Sequence, residues 1–205
     1  MSVVVHKVTC FITRQEKNGI ELLLFNHPYA GVQIPAGTVN PGETPEAAAR
    51  REALEETKIE GLLLVRLLGD QQESLPAGER LLARSSPVLS RPEIGSFDWA
   101  HLPVSTPVKV IRYKAGFTQV SYEEPDHFPD PQYITYQISG WVPDDALTDQ
   151  RIRHFYLFEV QGKTPRGWSV ATDNHIFQLF WKGLGELPDI VPPQNEWLKW
   201  LIEEN

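Results

Sequence analysis

Residues 37–59 read Gly-Thr-Val-Asn-Pro-Gly-Glu-Thr-Pro-Glu-Ala-Ala-Ala-Arg-Arg-Glu-Ala-Leu-Glu-Glu-Thr-Lys-Ile. Asn40-Pro41-Gly42-Glu43 is turn chemistry, since proline presets φ while glycine and asparagine accept the angles a turn demands. Thr44-Pro45-Glu46 then starts a helix: a hydroxyl N-cap, a proline whose missing N–H is not needed there, and an acid near the positive end of the dipole. The helix is predicted to run to about Lys58, with Gly61 available to end it. On its surface Glu52, Glu55 and Glu56 fall within one arc of about 100°. Like charges four residues apart destabilise a helix by ~0.2–0.5 kcal/mol per pair, and Arg51 offsets only part of this through Glu55. Ala48 lies on the same arc and leaves room for something to approach, while Ala47 and Leu54 lie opposite and are expected to pack on a sheet. Such a face is either solvated charge or a nest for a hard divalent cation, which prefers oxygen ligands. The helix alone leaves both readings open.

The surroundings narrow the choice. Gly37, five residues, Glu43, seven residues, Arg51-Glu52, two residues and Glu55-Glu56 together resemble the Nudix box, the signature of the Nudix hydrolase family. Ile59 fills the final aliphatic position. Two positions depart from the family pattern: Ala53 is smaller than the usual aliphatic, and Lys58 replaces the last glycine. The resemblance implies an α/β (α+β) chain with a Nudix-type α/β/α sandwich on a mixed β-sheet. It also implies hydrolysis of a pyrophosphate bond in a nucleoside diphosphate linked to another group, with Mg2+ or Mn2+ as cofactor. On that basis Glu52, Glu55 and Glu56, with the carbonyl of Gly37, are the expected metal ligands. Glu52, Glu55 and Arg51 form the expected catalytic group, in which Glu52 or Glu55 helps deprotonate water and Arg51 pairs with Glu43 to orient the carboxylates. Substrate-binding residues are unassigned. Alternatives on the same fold are a nucleotide-binding or regulatory module without turnover, an RNA-cap hydrolase, or an isomerase, because fold alone does not fix function.

Outward from the box, Val3–Arg14 is rich in β-branched residues and reads as a strand. Asn18-Gly19 is expected at the centre of a tight hairpin turn, and Ile20–Phe25 returns. Val32-Gln33-Ile34 is a short strand stopped by a Pro35-Ala36-Gly37 turn, and Gly61–Leu68 is a strand after the helix. Residues 71–150 hold nine of the 17 prolines. Strand-like runs there at Val108–Tyr113, Phe117–Glu124 and Tyr133–Trp141 mark a β-rich insertion or cap within a single domain spanning 1–205, with a partly mobile loop as the alternative. Ile152–Val160 and Ile176–Trp181 read as core strands, and Asn195–Glu204 as a closing helix.

Composition sets the remaining bounds. The chain has 205 residues, 19 Lys+Arg, 27 Asp+Glu and a net charge of −8. A surplus of acid makes nucleic acid an unlikely partner. A small anionic nucleotide-type substrate therefore needs a cation to bridge it to the protein. Cys10 is the only cysteine, so no disulfide forms within the chain. Neither a leader nor a membrane span is read, so a cytoplasmic location is expected; a homodimer is left open. Glu123, Glu124, Asp126 and Asp173 are candidates for an additional base, against a reading as solvated loop acids. His154 is expected to be a satisfied core histidine. Trp168, Tyr122 and Trp141 are expected to pack, with a nucleobase platform as the alternative. Lys109, Arg112 and Lys114 form the one basic cluster of the insertion.

Overall fold

The computed structural model of the chain describes residues 3–172 and 175–202. The first elements are β1 (Val5–Glu16), β2 (Gly19–His27), β3 (Gly31–Gln33), β4 (Ala36–Thr38), α1 (Pro45–Thr57) and β5 (Leu62–Ser74). Next come β6 (Glu79–Leu82), β7 (Ser86–Leu89), β8 (Asp98–Leu102), β9 (Pro107–Lys114), β10 (Phe117–Pro125), β11 (Ile134–Pro143) and β12 (Leu147–Thr148). The chain closes with β13 (Gln150–Val160), β14 (Gly167–Thr172), β15 (His175–Gly183), α2 (Gln194–Trp197) and α3 (Lys199–Ile202). No helix among the described residues is long and apolar enough to cross a membrane.

The fold divides into two units. Of the described residues, one comprises 7–71, 127–130, 153–172 and 175–202; the other comprises 3–6, 72–126 and 131–152. In the first, the strand order is β14-β15-β2-β1-β13-β5, with β3 beside β2 and β4 beside β1. Thr13 reaches Phe158 and Arg153 reaches Val8, so β1 and β13 run the same way, whereas β1 and β2 are antiparallel: the sheet is mixed. Helix α1 covers one face through Ala48, Ala49 and Ala53, packed on Val8, Cys10, Ile12 and Phe158. Short side chains let the helix come close, and the Cys10 thiol donates to the Ala49 carbonyl at 3.3 Å. Helices α2 and α3 cover the other face, where Trp197 and Leu201 meet Phe11, Leu24 and Phe155. This is the expected α/β/α sandwich. The second unit holds the order β12-β6-β9-β10-β11-β7-β8 around Leu82, Val88, Val108, Val120 and Val142, and the three strands anticipated there are β9, β10 and β11.

Several local expectations are corrected. The tight turn is centred on Lys17-Asn18, and Gly19 carries the positive φ of 123°. Residues 36–38 form strand β4, paired with Lys7–Thr9, where a Pro-Ala-Gly turn was expected. Ala47 and Leu54 are exposed, and α1 turns Ala48, Ala49, Ala53, Glu56 and Thr57 inward. The closing helix is two short pieces, because the Leu198 carbonyl takes the N–H groups of both Leu201 and Ile202; Glu204 lies outside the described residues.

The exit of α1 also differs. Lys58, not Gly61, ends the helix: it adopts φ 55°, ψ 21° and donates its N–H to the Leu54 carbonyl. A left-handed angle costs a residue with a Cβ about 1–2 kcal/mol, and glycine nothing comparable. Lys58→Gly is therefore expected to stabilise the protein by about 1 kcal/mol, seen as a Tm about 2–4 °C higher by calorimetry at this chain length. An unchanged or lower Tm would contradict this account of the cap.

Candidate functional site

The site grows from the junction of β4 and α1. Thr44 caps the helix, its hydroxyl accepting the Ala47 N–H at 3.2 Å. Pairing of β4 with β1 sets Gly37 opposite Val8 and turns the backbone N–H groups of Ala36 and Thr38 toward the helix. Ala36 N–H donates to the Glu56 carboxylate at 2.9 Å, and Thr38 N–H donates to Glu52 at 3.1 Å. Two acids one helical turn apart are thus docked on a strand edge. This explains why α1 presents Glu56, 7% exposed, toward the sheet and leaves Leu54 outside.

Gly37 makes the docking sterically feasible. A Cβ there would lie 1.9 Å from Cδ of Glu52 and 2.0 Å from its Oε1. Any side chain at position 37 displaces that carboxylate.

Arg51 binds the acids together. Its Nε and Nη2 donate to the two Glu43 carboxylate oxygens at 3.0 and 2.9 Å, a bidentate fork. The same Nη2 donates to the Thr38 carbonyl at 2.9 Å. Nη1 lies 3.0 Å from Glu55 and 2.9 Å from Glu52. Glu43 also accepts the Asn40 N–H at 3.0 Å, which closes the turn before the helix. The Arg51–Glu43 pair that the family resemblance implies is therefore present.

The charges respond to this setting. Hydrogen bonding from Arg51 holds the Glu43 carboxyl below the usual range. Burial pushes Glu52 up, although Arg51 and the Thr38 N–H oppose it. The Cys10 thiol is pushed far up, first by complete burial and then by the negative charge of Glu56 and Glu52. It is accordingly a core side chain without thiolate chemistry.

The donors around Gly37 are all oxygen, the chemistry that suits magnesium or manganese. Here the carboxylates are turned toward Arg51 and the backbone, and among the described residues no three His, Cys, Asp or Glu side chains converge on one point. What fits a hard cation here is the chemistry of the donors, carboxylate and carbonyl oxygens, with the Glu52 carboxylate occupying the space that the missing Cβ of Gly37 leaves.

The structure brings together Gly37, Glu43, Arg51, Glu52, Glu55 and Glu56, and the other candidates have these contacts. Glu123 pairs with Lys109 at 3.2 Å and takes Gln137 at 2.9 Å. Asp126 caps a turn through the N–H groups of Gln132 and Tyr133, and the Glu124 carbonyl accepts the Thr135 hydroxyl. Asp173 lies outside the described residues. His154 is 8% exposed with Nδ1 2.6 Å from Asp70, a satisfied core histidine. Trp168 donates to the Thr57 carbonyl at 2.8 Å and so packs on the end of α1. Trp141 is buried beneath Arg112, whose guanidinium lies 5.3 Å from its ring. Tyr122 is half-buried and meets Tyr136. Lys109 and Arg112 are engaged by Glu123 and Gln119. The sequence reading missed a group of rings, His27, Tyr29, His127 and His175, which are too far apart in the chain to form a spacing pattern.

The family model of the NUDIX domain matches residues 5–94, a span that takes in every side chain of the α1–β4 site. A comparison with curated proteins returns no match.

The Glu43 fork carries a pH signature. A carboxyl whose folded pKa is depressed stabilises the fold fully above its unfolded value near 4.3, and the gain is lost as pH falls through the folded value. Glu43→Gln is expected to cost about 1 kcal/mol at pH 7 in denaturant unfolding. The gap to the unaltered protein should close as pH drops below about 4. A gap that persisted at low pH would show that the cost does not come from this ion pair.

Proposed function

We propose that this chain, which carries a NUDIX domain over residues 5–94, cleaves the pyrophosphate bond of a nucleoside diphosphate linked to another group, with magnesium or manganese as cofactor. One observation carries the reading. Glu52 and Glu56 are held by backbone N–H groups on either side of Gly37, where any Cβ would collide with a carboxylate. A solvated charged face has no use for such a constraint.

Glu52, Glu55 and Glu56, together with the Gly37 carbonyl, are the groups that would hold the cation. Held there, a divalent cation would offset the acidic charge of the site and would supply stabilisation of the charge that develops on phosphoryl oxygens. The protein supplies the rest. Glu52 or Glu55 accepts the proton of the attacking water. Arg51, anchored on Glu43, positions both carboxylates and touches neither water nor substrate. On this reading the whole chain works as one hydrolase, and the β-rich span 71–150 governs substrate preference.

The test is phosphate release across nucleotide sugars, dinucleoside polyphosphates, ADP-ribose and nucleoside triphosphates, with magnesium, manganese or chelator. Glu56→Gln is expected to reduce metal-dependent turnover by at least about 100-fold, the scale of losing a group that stabilises transition-state charge, while circular dichroism stays unchanged. Retained turnover in Glu56→Gln, or turnover in chelator, would overturn the proposal. Turnover on none of the substrates, with nucleotides still bound, would favour the binding-module alternative.

A further inference from the structure

Three of the chain's six histidines gather around Tyr29 in the unit that carries α1. His27 is the last residue of β2 and His175 the first of β15, and their ring centroids lie 4.8 Å apart. Tyr29 stands 5.6 Å from His175 and 5.7 Å from His127, both edge-on, at 71° and 72°. The main chain fixes this arrangement: Phe128 N–H donates to the Tyr29 carbonyl at 3.0 Å, and Tyr29 N–H donates to His27 Nδ1 at 3.1 Å.

The rings form a ladder from core to solvent. At its foot Phe25 and Phe177 stack at 4.3 Å, buried at 1% and 3% exposure. His27 sits on Phe177 at 5.2 Å, and at the top Tyr29 is 50% exposed. Phe25 and Phe177 belong to the core beneath α1. His27 and His175 lie two residues from them along their strands and therefore share that face. His27 pairs with Gly31, and only five residues separate Gly31 from Gly37, at most about 20 Å of chain. The ladder and the box acids thus rise from one face at one end of the sheet.

The chemistry of the cluster separates the ligands it suits. Among the described residues around Tyr29 no three His, Cys, Asp or Glu side chains converge as metal ligands. An N–H donated to His27 Nδ1 requires that nitrogen to be unprotonated, and burial, with His175 beside it, lowers the His27 pKa. The His27 imidazole, with Nδ1 accepting this N–H, offers a π surface and weak polar edges. Roofing Phe177 needs His27 alone; Tyr29, half in solvent and braced by two rings, adds little to the core. A braced, half-exposed ring is what stacking on a planar heterocycle requires.

We propose that Tyr29, held upright by His127 and His175, is the platform on which the base of the nucleoside stacks. This rests on the hydrolase reading for the role of the base, and its test needs neither metal nor turnover. AMP, GMP, CMP and UMP are titrated into metal-free protein while the Tyr29 and histidine ring signals are followed by NMR. Saturable shifts of these rings are expected with at least one nucleotide, and none with ribose 5-phosphate at the same concentration. Tyr29→Ala should weaken that nucleotide about 10- to 100-fold, the scale of one base–aromatic stack. Tyr29→Phe should stay within about threefold, because the ring and not the hydroxyl does the binding. Since Tyr29 is half-exposed, an unchanged circular dichroism spectrum is expected for Tyr29→Ala and serves as the folding control. Equal affinity in Tyr29→Ala, ring signals that no nucleotide moves, or equal shifts from ribose 5-phosphate would each overturn the platform. Failure of the hydrolase reading would instead appear as absent turnover beside intact nucleotide binding.

Discussion

Arg51 donates to Glu43 through two nitrogens, to the Thr38 carbonyl through one of these, and faces Glu52 and Glu55 with its third. The turn before α1, the strand that precedes it and the acidic face of the helix therefore all meet on one guanidinium. Only arginine has enough fixed donors for this; lysine would bring charge without the planar fork. With side-chain exposures of 27% for Arg51 and 17% for Glu43, the fork is shielded enough to outlast solvent competition. Four acids lie within reach of this segment, and without the arginine their repulsion would work against the helix that carries them.

The second constraint is steric. Glu52 and Glu56 reach the backbone of β4 because residue 37 has no side chain. That contact sets the rotation of α1 about its own axis. It draws Glu56 inward, exposes Leu54, and leaves Ala48, Ala49 and Ala53 to meet the sheet. A helix that buries carboxylates and small residues cannot derive much stability from its own hydrophobic face. The surrounding aromatic core, with Phe25 on Phe177 and Phe155 on Trp200, compensates on both sides of the sheet.

What could be read from the chain was what depends on spacing along it. Glu43 and Arg51 meet as the family resemblance implies, and the capping threonine and the paired acids fall where the helix period puts them. What could not be read depends on contacts between distant segments. Ala47 and Leu54 face solvent, against the helix-period expectation, because helix rotation is decided by β4, not by the helix. Lys58 takes a left-handed angle that its type disfavours, so composition pointed to Gly61. The Lys17-Asn18 turn uses Gly19 one place later than expected. Tyr29 and its three histidines come from segments nearly 150 residues apart and leave no periodic trace. The short strands β6, β7, β8 and β12 are two to five residues long, too brief for an alternating pattern to register.

On the proposed reading, α1 and Gly37 form one oxygen-lined seat for a divalent cation. Titration of Mn2+ followed by electron paramagnetic resonance tests this directly, since the signal of the free ion falls as it binds. The unaltered protein should deplete free Mn2+ in a saturable way, and Mg2+ should release it. The doubly altered protein Glu52→Gln/Glu56→Gln should leave the ion free while keeping its circular dichroism spectrum. Equal Mn2+ uptake by both proteins would place the cation elsewhere and contradict the account.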